Sequence, residues 1–271
     1  MKLTFLGTSH GVCEKNQFCS SIAVTVGRRS YLIDAGAPIM GLLKNYEIPY
    51  TSLGGIFITH AHPDHYMGLP EFIGQVEWFE QQKDVRLPVY VPPEFPYAAI
   101  NTFLFGNPEG IVRGAPGGNR RVFENTEKRV WFATYQSGVI FDDGAVKITA
   151  VPVKHIPNAH AFLLEAEGKR VLFSGDLKHD LSDYPAVLTE GEGVDLLVME
   201  AAHPLLNAPE NIVLFQKTRT KHMIVTHRYI PYNTDTVVAD LREAVKDLYP
   251  VDLAGDGSMF ENRVGGYSLF E

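Results

Sequence analysis

The chain has 271 residues, of which 45% are hydrophobic and 21% charged. This composition is typical of a soluble globular protein and excludes a collagen, a coiled coil and a disordered chain. The formal charge is -8, from 24 lysines and arginines against 32 aspartates and glutamates, and it favours a small-molecule substrate over nucleic acid, which is bound by basic surfaces.

The two cysteines, Cys13 and Cys19, are too few for a disulfide framework or a four-cysteine zinc site. The apolar run at residues 1–7 is too short for the core of a signal peptide. No stretch approaches the roughly 20 apolar residues that span a bilayer. We therefore predict a cytoplasmic protein with no membrane partner.

Short apolar runs between turn residues predict strands in the first third of the chain, at 2–6, 22–26, 31–33 and 88–91. The fully apolar run at 55–59 is typical of a buried strand. Helical spacing of apolar residues predicts helices at 39–44 and 71–82.

The segment 92–130 is the least regular part of the sequence, since it is interrupted repeatedly by proline and glycine. A loop of this length in a compact domain is usually functional or mobile, so we interpret it as an insertion. Its aromatic residues Phe95, Tyr97, Phe103 and Phe105 are compatible with an apolar wall or with a contact in a homodimer.

Further strands are predicted at 130–134, 139–141, 146–151, 161–166, 171–174, 195–199, 223–226, 251–253 and 266–269. Helices are predicted around 184–188, 209–217 and 234–248. Many strands followed by helices, twice over, indicate two β-rich layers with helices outside, an α/β sandwich. We predict one domain over residues 1–271.

The strongest chemical signal is a cluster of three histidines and one aspartate directly after the buried strand at 55–59: His60, His62, Asp64 and His65. Imidazole nitrogens and carboxylate oxygens bind borderline metals such as zinc. A cluster without cysteine is typical of a catalytic site that leaves a coordination position for water.

The segment 60–65 is too short to complete the coordination shells of two metal ions, so further ligands must come from other parts of the chain. His155, Asp176 and His227 each follow the end of a predicted strand. Several strand ends could therefore converge on one edge of the sandwich, although a lone histidine in such a place is more often structural.

The order of these residues resembles the metallo-β-lactamase superfamily of binuclear metallohydrolases, and the resemblance covers nearly the whole chain. Asp34, in Leu32-Ile33-Asp34-Ala35-Gly36, is similar to the first motif of that superfamily, where the aspartate usually supports a ligand. The resemblance implies a four-layer αββα sandwich with the metals at one edge.

Position by position, the resemblance implies two divalent metal ions, with zinc as the first choice and manganese as the alternative. His60, His62 and His155 would bind the first ion. Asp64, His65 and His227 would bind the second, and Asp176 would bridge the two. A hydroxide bridging the metals would attack the substrate. Asp64 would be both a ligand and a catalytic residue that orients this hydroxide.

Two branches of the superfamily are similar in different places. Segments 3–8 and 224–227 resemble ribonuclease Z, whereas 198–204 and 254–259 resemble the cyclic phosphodiesterases linked to phosphonate breakdown. In the second branch the histidine at the position of His203 is the proposed acid for the leaving oxygen, and Glu200 could orient or charge it. The alternative is that His203 only caps the turn after a strand.

We therefore predict a metal-dependent hydrolase that is most like a phosphodiesterase for a small cyclic or nucleotide-like substrate. The alternatives are RNA processing of the ribonuclease Z kind and hydrolysis of a lactone, thioester or β-lactam, because fold and metal do not fix the substrate. The intact ligand set argues against a degenerate binding module. His10, after the first strand, either faces the metals or lies in a solvated loop.

Overall fold

Two β-sheets facing each other form the centre of the fold. The computed structural model describes residues 1–79, 84–107, 109, 111–112, 120–121, 129–229, 234–263 and 266–269. Within them the strands are β1 Lys2–Gly7, β2 Ser21–Val26, β3 Arg29–Ile33, β4 Leu53–Phe57, β5 Leu87–Val91, β6 Ile111–Val112, β7 Arg120–Arg121, β8 Val130–Thr134, β9 Gly138–Asp142, β10 Val146–Pro152, β11 His160–Ala166, β12 Lys169–Phe173, β13 Leu196–Glu200, β14 Met223–Thr226, β15 Val251–Leu253, β16 Met259–Arg263 and β17 Gly266–Leu269.

The order of strands brings many of their carboxyl ends to one edge. The first sheet has the order β17-β16-β1-β2-β3-β4-β5-β8, and the second β15-β14-β13-β12-β11-β10-β9, while β6 and β7 pair separately. Strands β3, β4, β5 and β8 run parallel, as do β12 to β15. The loops after parallel strands lie together at the carboxyl edge, which is where such sheets bind ligands.

A continuous apolar core fills the space between the sheets. Phe5 and Phe57 of the first sheet and Phe162 and Phe173 of the second are all at most 2% exposed. Burying one such side chain contributes about 1.5–3 kcal/mol. Residues of each strand point alternately into this layer and towards the outer helices. Both faces are therefore buried, which is why these strands appear in the sequence as short apolar runs.

Helices cover the outer face of each sheet: α1 Ile39–Asn45, α2 Pro63–Tyr66, α3 Leu69–Gly74, α4 Tyr97–Phe105, α5 Pro209–Phe215 and α6 Thr234–Val245. Helices α1, α3 and α4 pack on the first sheet, and α5 and α6 on the second. In α6 the buried residues Val237, Val238, Leu241 and Val245 have the spacing of one helical face. The predicted αββα sandwich is therefore confirmed.

The main difference from the predicted elements lies in segment 92–130. It contains helix α4, which the surrounding prolines and glycines obscure in the sequence. Phe95 is buried in the core beneath the first sheet's helices and contacts the rings of Tyr66 and Tyr97, so it belongs to an apolar wall. Phe103 is exposed. Most of 108–128 lies outside the described residues, and the single domain with an insertion stays a prediction, as does the homodimer.

Two predicted helices differ in extent. The predicted helix at 71–82 is α3, continued by one π-helical turn at Gln75–Phe79, and its last predicted residues lie outside the described ones. The helix predicted around 184–188 is only a 3-10 turn, Ala186–Leu188. Among the described residues no helix has the length and apolar character needed to cross a bilayer.

Candidate metal centre

The seven predicted ligands all lie at the carboxyl edge shared by the two sheets. His60, His62, Asp64 and His65 follow β4, and Pro63 opens helix α2 inside this motif. Proline is favoured at the first position of a helix, so the sequence itself turns the chain there. The other three follow strands of the second sheet: His155 after β10, Asp176 after β12 and His227 after β14.

The first cluster is formed by His60, His62, His155 and Asp176. Nδ1 of His62 lies 3.0 Å from Nε2 of His60 and 3.1 Å from Nε2 of His155. Oδ2 of Asp176 lies 3.5 Å from the first of these Nε2 atoms and 3.7 Å from the second. Ligands placed tetrahedrally about 2.1 Å from an ion lie about 3.4 Å apart, so these atoms surround a space of the right size for one metal ion.

The second cluster contains Asp64, His65 and His227. Oδ2 of Asp64 lies 3.5 Å from Nε2 of His65 and 3.8 Å from Nε2 of His227. Oδ1 of Asp176 lies 3.4 Å from each of the same two nitrogens. Asp176 therefore turns one carboxylate oxygen towards each cluster, which is the arrangement of a bridging ligand.

Buried atoms without partners test whether these residues fit a metal. Nε2 of His65, both ring nitrogens of His227 and Oδ1 of Asp176 are buried and have no hydrogen-bond partner among the described residues. A buried polar atom left without a hydrogen bond costs about 1–3 kcal/mol in a folded protein. The donor set and three of the unpaired atoms, Nε2 of His65, Nε2 of His227 and Oδ1 of Asp176, fit divalent cations, which would supply partners for them.

Asp34 supports His65 of the second cluster by binding the ring nitrogen that points away from the cluster. Its Oδ2 accepts a hydrogen bond from Nδ1 of His65 at 2.7 Å, and its Oδ1 accepts one from the backbone N–H of Thr59 at 2.8 Å. The first bond leaves the lone pair on Nε2 of His65 facing the cluster, as supporting carboxylates do for metal-binding histidines. Asp34 and His227 both have left-handed backbones, with φ of 60° and 54°, a strain that is often found at functional sites.

The electrostatics of the two clusters differ. Burial lowers the pKa of His60 well below its ordinary value and that of His155 to about 4, so both are neutral in the metal-free protein. Burial has the same direction at His65 and His227, but the charge of Asp176 outweighs it and raises the pKa of both. Although burial opposes it, those histidines hold the pKa of Asp176 well below its usual range.

Glu200 and His203 lie beside both clusters. Nδ1 of His203 is 2.9 Å and 3.1 Å from the two carboxylate oxygens of Glu200. The ring of His203 has its centroid 4.4 Å from that of His155 and 6.1 Å from that of His227. With Nδ1 engaged by Glu200, Nε2 is the nitrogen of His203 that can meet a substrate.

Glu200 is also close enough to Asp176, His203 and His227 to form a third metal-binding combination. Its carboxylate, however, accepts hydrogen bonds from the backbone N–H groups of Leu177, Ala202 and His203. It is therefore occupied in holding the loops after β12 and β13. The sequence indicated Glu200 only as a neighbour of His203, because its hydrogen bonds join separate segments.

Sequence reasoning missed the support around His10. The loop after β1 passes the second cluster, and the carboxylate of Asp256 holds it from the opposite side. Segment 254–259 was singled out only for its resemblance. The partners of Asp256, Thr8 and Phe18, lie more than 200 residues earlier, a distance that no local pattern reveals.

Solved structures share this fold. The metallo-β-lactamase fold protein YhfI of Bacillus subtilis aligns with a TM-score of 0.67 at 19% identity, over 95% of this chain and 98% of its own. A diphosphatase from the PhnP family gives 0.61 at 19%, over 97% and 98%. Zn2+-bound PqqB from Methylobacterium extorquens gives 0.65 at 15%, over 96% and 100%.

A sequence relative is the ribonuclease Z of Synechococcus sp. (strain CC9311), 30% identical over 202 residues, which are 72% of this chain and 60% of that protein. The chain spans about 60% of the length of the curated relatives it matches. Fold and site place the chain among proteins with the metallo-β-lactamase fold, as predicted, with sequence similarity to ribonuclease Z and structural similarity to a PhnP-family protein. Residues 1–200 match the sequence profile described as anti-Pycsar protein Apyc1, and the chain belongs to that family.

Proposed function

We propose that the protein uses two divalent metal ions, zinc as first choice, to hydrolyse a small cyclic or nucleotide-like phosphodiester. The observation that carries the proposal is the pair of ligand clusters joined by Asp176, with Glu200 and His203 beside them. Two metal ions held there would lower the pKa of a coordinated water and stabilise charge on a phosphoryl group. This chemistry needs neutral histidine ligands: His60 and His155 are neutral before metal binds, whereas the second cluster must release protons when metal binds.

The protein's own residues divide the work. The seven ligands fix the ions, and Asp34 fixes the orientation of His65. Asp64, 12% exposed at the open side of the second cluster, is placed to orient the attacking water. His203 donates a proton from Nε2 to the leaving oxygen, while Glu200 holds Nδ1. Burial lowers the pKa of His203, but the hydrogen bond to Glu200 and its charge outweigh burial and raise that pKa, which keeps the proton available.

A phosphodiester substrate would give His203 a role as a general acid. An alkoxide leaves poorly unless it is protonated, and a positioned general acid contributes about 10²–10⁴-fold. Ribonuclease Z relatives act on RNA, whose linkages are phosphodiesters, and the PhnP-family neighbour is a diphosphatase. The formal charge of -8 favours a small diester over a polyanion.

The first experiment measures metal content and hydrolysis of bis-p-nitrophenyl phosphate on the same purified sample. About two metals per chain with turnover is the expected result. Absence of metal after reconstitution would overturn the proposal. Two metals without turnover of this diester or of a panel of cyclic nucleotides would also overturn it, and would favour a lactone, thioester or β-lactam substrate.

A second experiment isolates the general acid. His203→Ala is expected to reduce hydrolysis of a cyclic nucleotide about 10²–10⁴-fold, because its alkoxide must be protonated. Hydrolysis of bis-p-nitrophenyl phosphate should change far less, since p-nitrophenolate leaves without a proton. Equal losses on the two substrates, at unchanged metal content, would show that His203 is not the acid.

RNA processing is the second candidate, favoured by the 30% identity to a ribonuclease Z. Cleavage of a precursor tRNA should then be detectable and should weaken steeply as salt rises, because RNA binding releases counterions. A small diester cleaved with no dependence on RNA and little dependence on salt would exclude this candidate.

A further inference from the structure

The loop after β1 places a histidine that belongs to neither metal cluster at the open side of the site. The ring centroid of His10 lies 5.5 Å from that of His227, 5.7 Å from that of His203 and 4.9 Å from that of Tyr229. It therefore stands next to one ligand of the second cluster and next to the candidate acid.

This position is fixed by the backbone. The N–H of His10 donates to the carbonyl of Arg228 at 3.0 Å, and the N–H of Arg228 donates to the carbonyl of Thr8 at 2.7 Å. The loop is thus tied directly to the residue after His227. A Cβ placed on Gly11 would be 3.5 Å from Cγ of Asp64, so the loop also lies against the open side of the second cluster.

One ring nitrogen of His10 is left without a protein partner in the described part of the chain. Its Nδ1 is buried and has no hydrogen-bond partner among the described residues. An imidazole carries at least one N–H in either protonation state. A half-buried polar ring held firmly beside a reaction centre, with its own nitrogen unsatisfied, is suited to a ligand.

We infer that His10 is a substrate-binding residue whose ring N–H donates a hydrogen bond to a phosphoryl oxygen of the diester. The inference rests on the proposed function for the identity of the ligand. The phosphoryl oxygens gain negative charge during attack, and metal ions at the two clusters cannot contact every one of them. Removing one donor to such developing charge typically costs about 10²–10³-fold in kcat.

The test compares four forms of the metal-loaded protein: wild type, His10→Ala, His10→Asn and His179→Ala. His179 is the matched control, because its ring centroid is also 5.7 Å from His203 while its Nδ1 is engaged with the carbonyl of His203. For each form, metal content, the dissociation constant of inorganic phosphate, and kcat and KM for bis-p-nitrophenyl phosphate are measured.

We expect His10→Ala to keep its metal and to bind inorganic phosphate about tenfold more weakly, which corresponds to one hydrogen bond. It should also lose about 10²-fold in kcat. His10→Asn, whose amide can replace Nδ1 as a donor, should recover part of both losses, and His179→Ala should resemble wild type.

Unchanged phosphate affinity in His10→Ala would overturn the inference, as would a loss of metal that accounts for the whole effect. The phosphate measurement separates this inference from the proposed function. If wild type binds phosphate through His10 but cleaves no phosphodiester, the proposed function fails and the binding role of His10 stands. If diesters are cleaved equally well without His10, only the inference fails.

Discussion

Both carboxylate oxygens of Glu200 lie within 3.1 Å of Nδ1 of His203. A carboxylate in this position fixes the ring and favours its protonated form, so the charge of Glu200 is coupled to the acidity of Nε2 on the opposite side of the ring. This relationship gives His203 the fixed orientation that the proposed general acid requires.

Replacing Glu200 by glutamine should therefore lower the pKa of His203. If His203 acts as the proposed acid, its protonated ring is the active form, so activity on a cyclic nucleotide should fall as pH rises through that pKa. In Glu200→Gln this fall should move to lower pH, with kcat near neutrality reduced about 10–100-fold. The measurement is the pH profile of kcat, with metal content and circular dichroism as controls because Glu200 also accepts backbone hydrogen bonds. An unmoved alkaline limb would contradict the coupling.

Removing the bridging carboxylate should disable both clusters. Asp176→Ala is expected to bind at most one metal and to lose more than about 10³-fold in activity, because each cluster loses a ligand and the pair is no longer joined. Asp180→Ala, an exposed aspartate four residues further on, is the matched control and should resemble wild type. Full metal content and activity in Asp176→Ala would show that the site assignment is wrong.

Metal uptake by the metal-free protein should depend on pH differently at the two clusters. A ligand must be deprotonated to bind metal. His60 and His155 have lowered pKa values and are already neutral, whereas the raised pKa values of His65 and His227 mean that these two rings keep their protons to higher pH. Affinity of the second cluster should rise with pH, about tenfold per unit for each proton displaced, up to those raised pKa values.

Calorimetric titration with Zn2+ in buffers of different ionisation enthalpy counts the released protons. We expect little release for one binding step and about one or two protons for the other. Asp34→Asn removes a charge that raises the pKa of His65 and should reduce the release. Equal proton release in both steps would contradict the assigned difference between the clusters.

Asp256 should act on phosphate binding through His10. Its Oδ1 accepts hydrogen bonds from the backbone N–H and the hydroxyl of Thr8, at 2.8 Å and 2.7 Å, and its Oδ2 accepts one from the N–H of Phe18 at 2.6 Å. Asp256→Asn replaces one acceptor by a donor, so it should cost about 1–3 kcal/mol of stability and loosen the loop. We expect weaker binding of inorganic phosphate in Asp256→Asn.

A double-mutant cycle distinguishes positioning from general destabilisation. If Asp256 acts through His10, the asparagine variant should weaken phosphate binding much less when His10 is already alanine. Additive losses in the double variant would mean that Asp256 affects the site by another route.

Gly36 should tolerate no side chain. A Cβ there would lie 2.6 Å from the carbonyl oxygen of Asp64 and 2.6 Å from the backbone of Cys19. Gly36→Ala should therefore displace the segment that carries Asp64 and His65. We expect a lower metal content and a loss of about 1–3 kcal/mol in the free energy of unfolding. Gly41→Ala, at an exposed position within α1, has room for the methyl group and should stabilise the helix by about 0.5–1 kcal/mol. Thermal unfolding and metal analysis of both variants check this contrast.

The parts of the site that were predicted share a local signal in the sequence. His60 to His65 form a dense motif after an apolar strand, and His155, Asp176 and His227 follow strands whose ends parallel topology brings together. Their assignment as ligands still rests on a resemblance and stays a proposal. Glu200 fixes the loops after β12 and β13, and Asp256 fixes the loop of His10. Both carboxylates do so by accepting hydrogen bonds from distant backbone N–H groups, which leave no pattern in the sequence.

In the fold, too, the elements with a local sequence pattern were predicted and an element without one was missed. Strands with short apolar runs were predicted nearly at their observed bounds, because burial of both faces of each sheet, by the other sheet and by helices, imposes that pattern. Helix α4 was missed because its flanking residues, Pro96 and Gly106, were interpreted as loop signals. Proline before a helix and a left-handed glycine after it are equally typical of helix ends. What distinguishes a helix from a loop here is the burial of Ile100 against the first sheet's helices.

The first cluster takes His60 and His62 from one sheet and His155 and Asp176 from the other, and His60 and His155 lie about 95 residues apart along the chain. An ion held by all four would act as a cross-link between the halves of the molecule, and cross-links between distant residues restrict the unfolded chain most. Neither half contains this cluster alone. During folding, these four residues can therefore come together only after the two sheets have docked, so tight binding of an ion by all four would report completion of the fold.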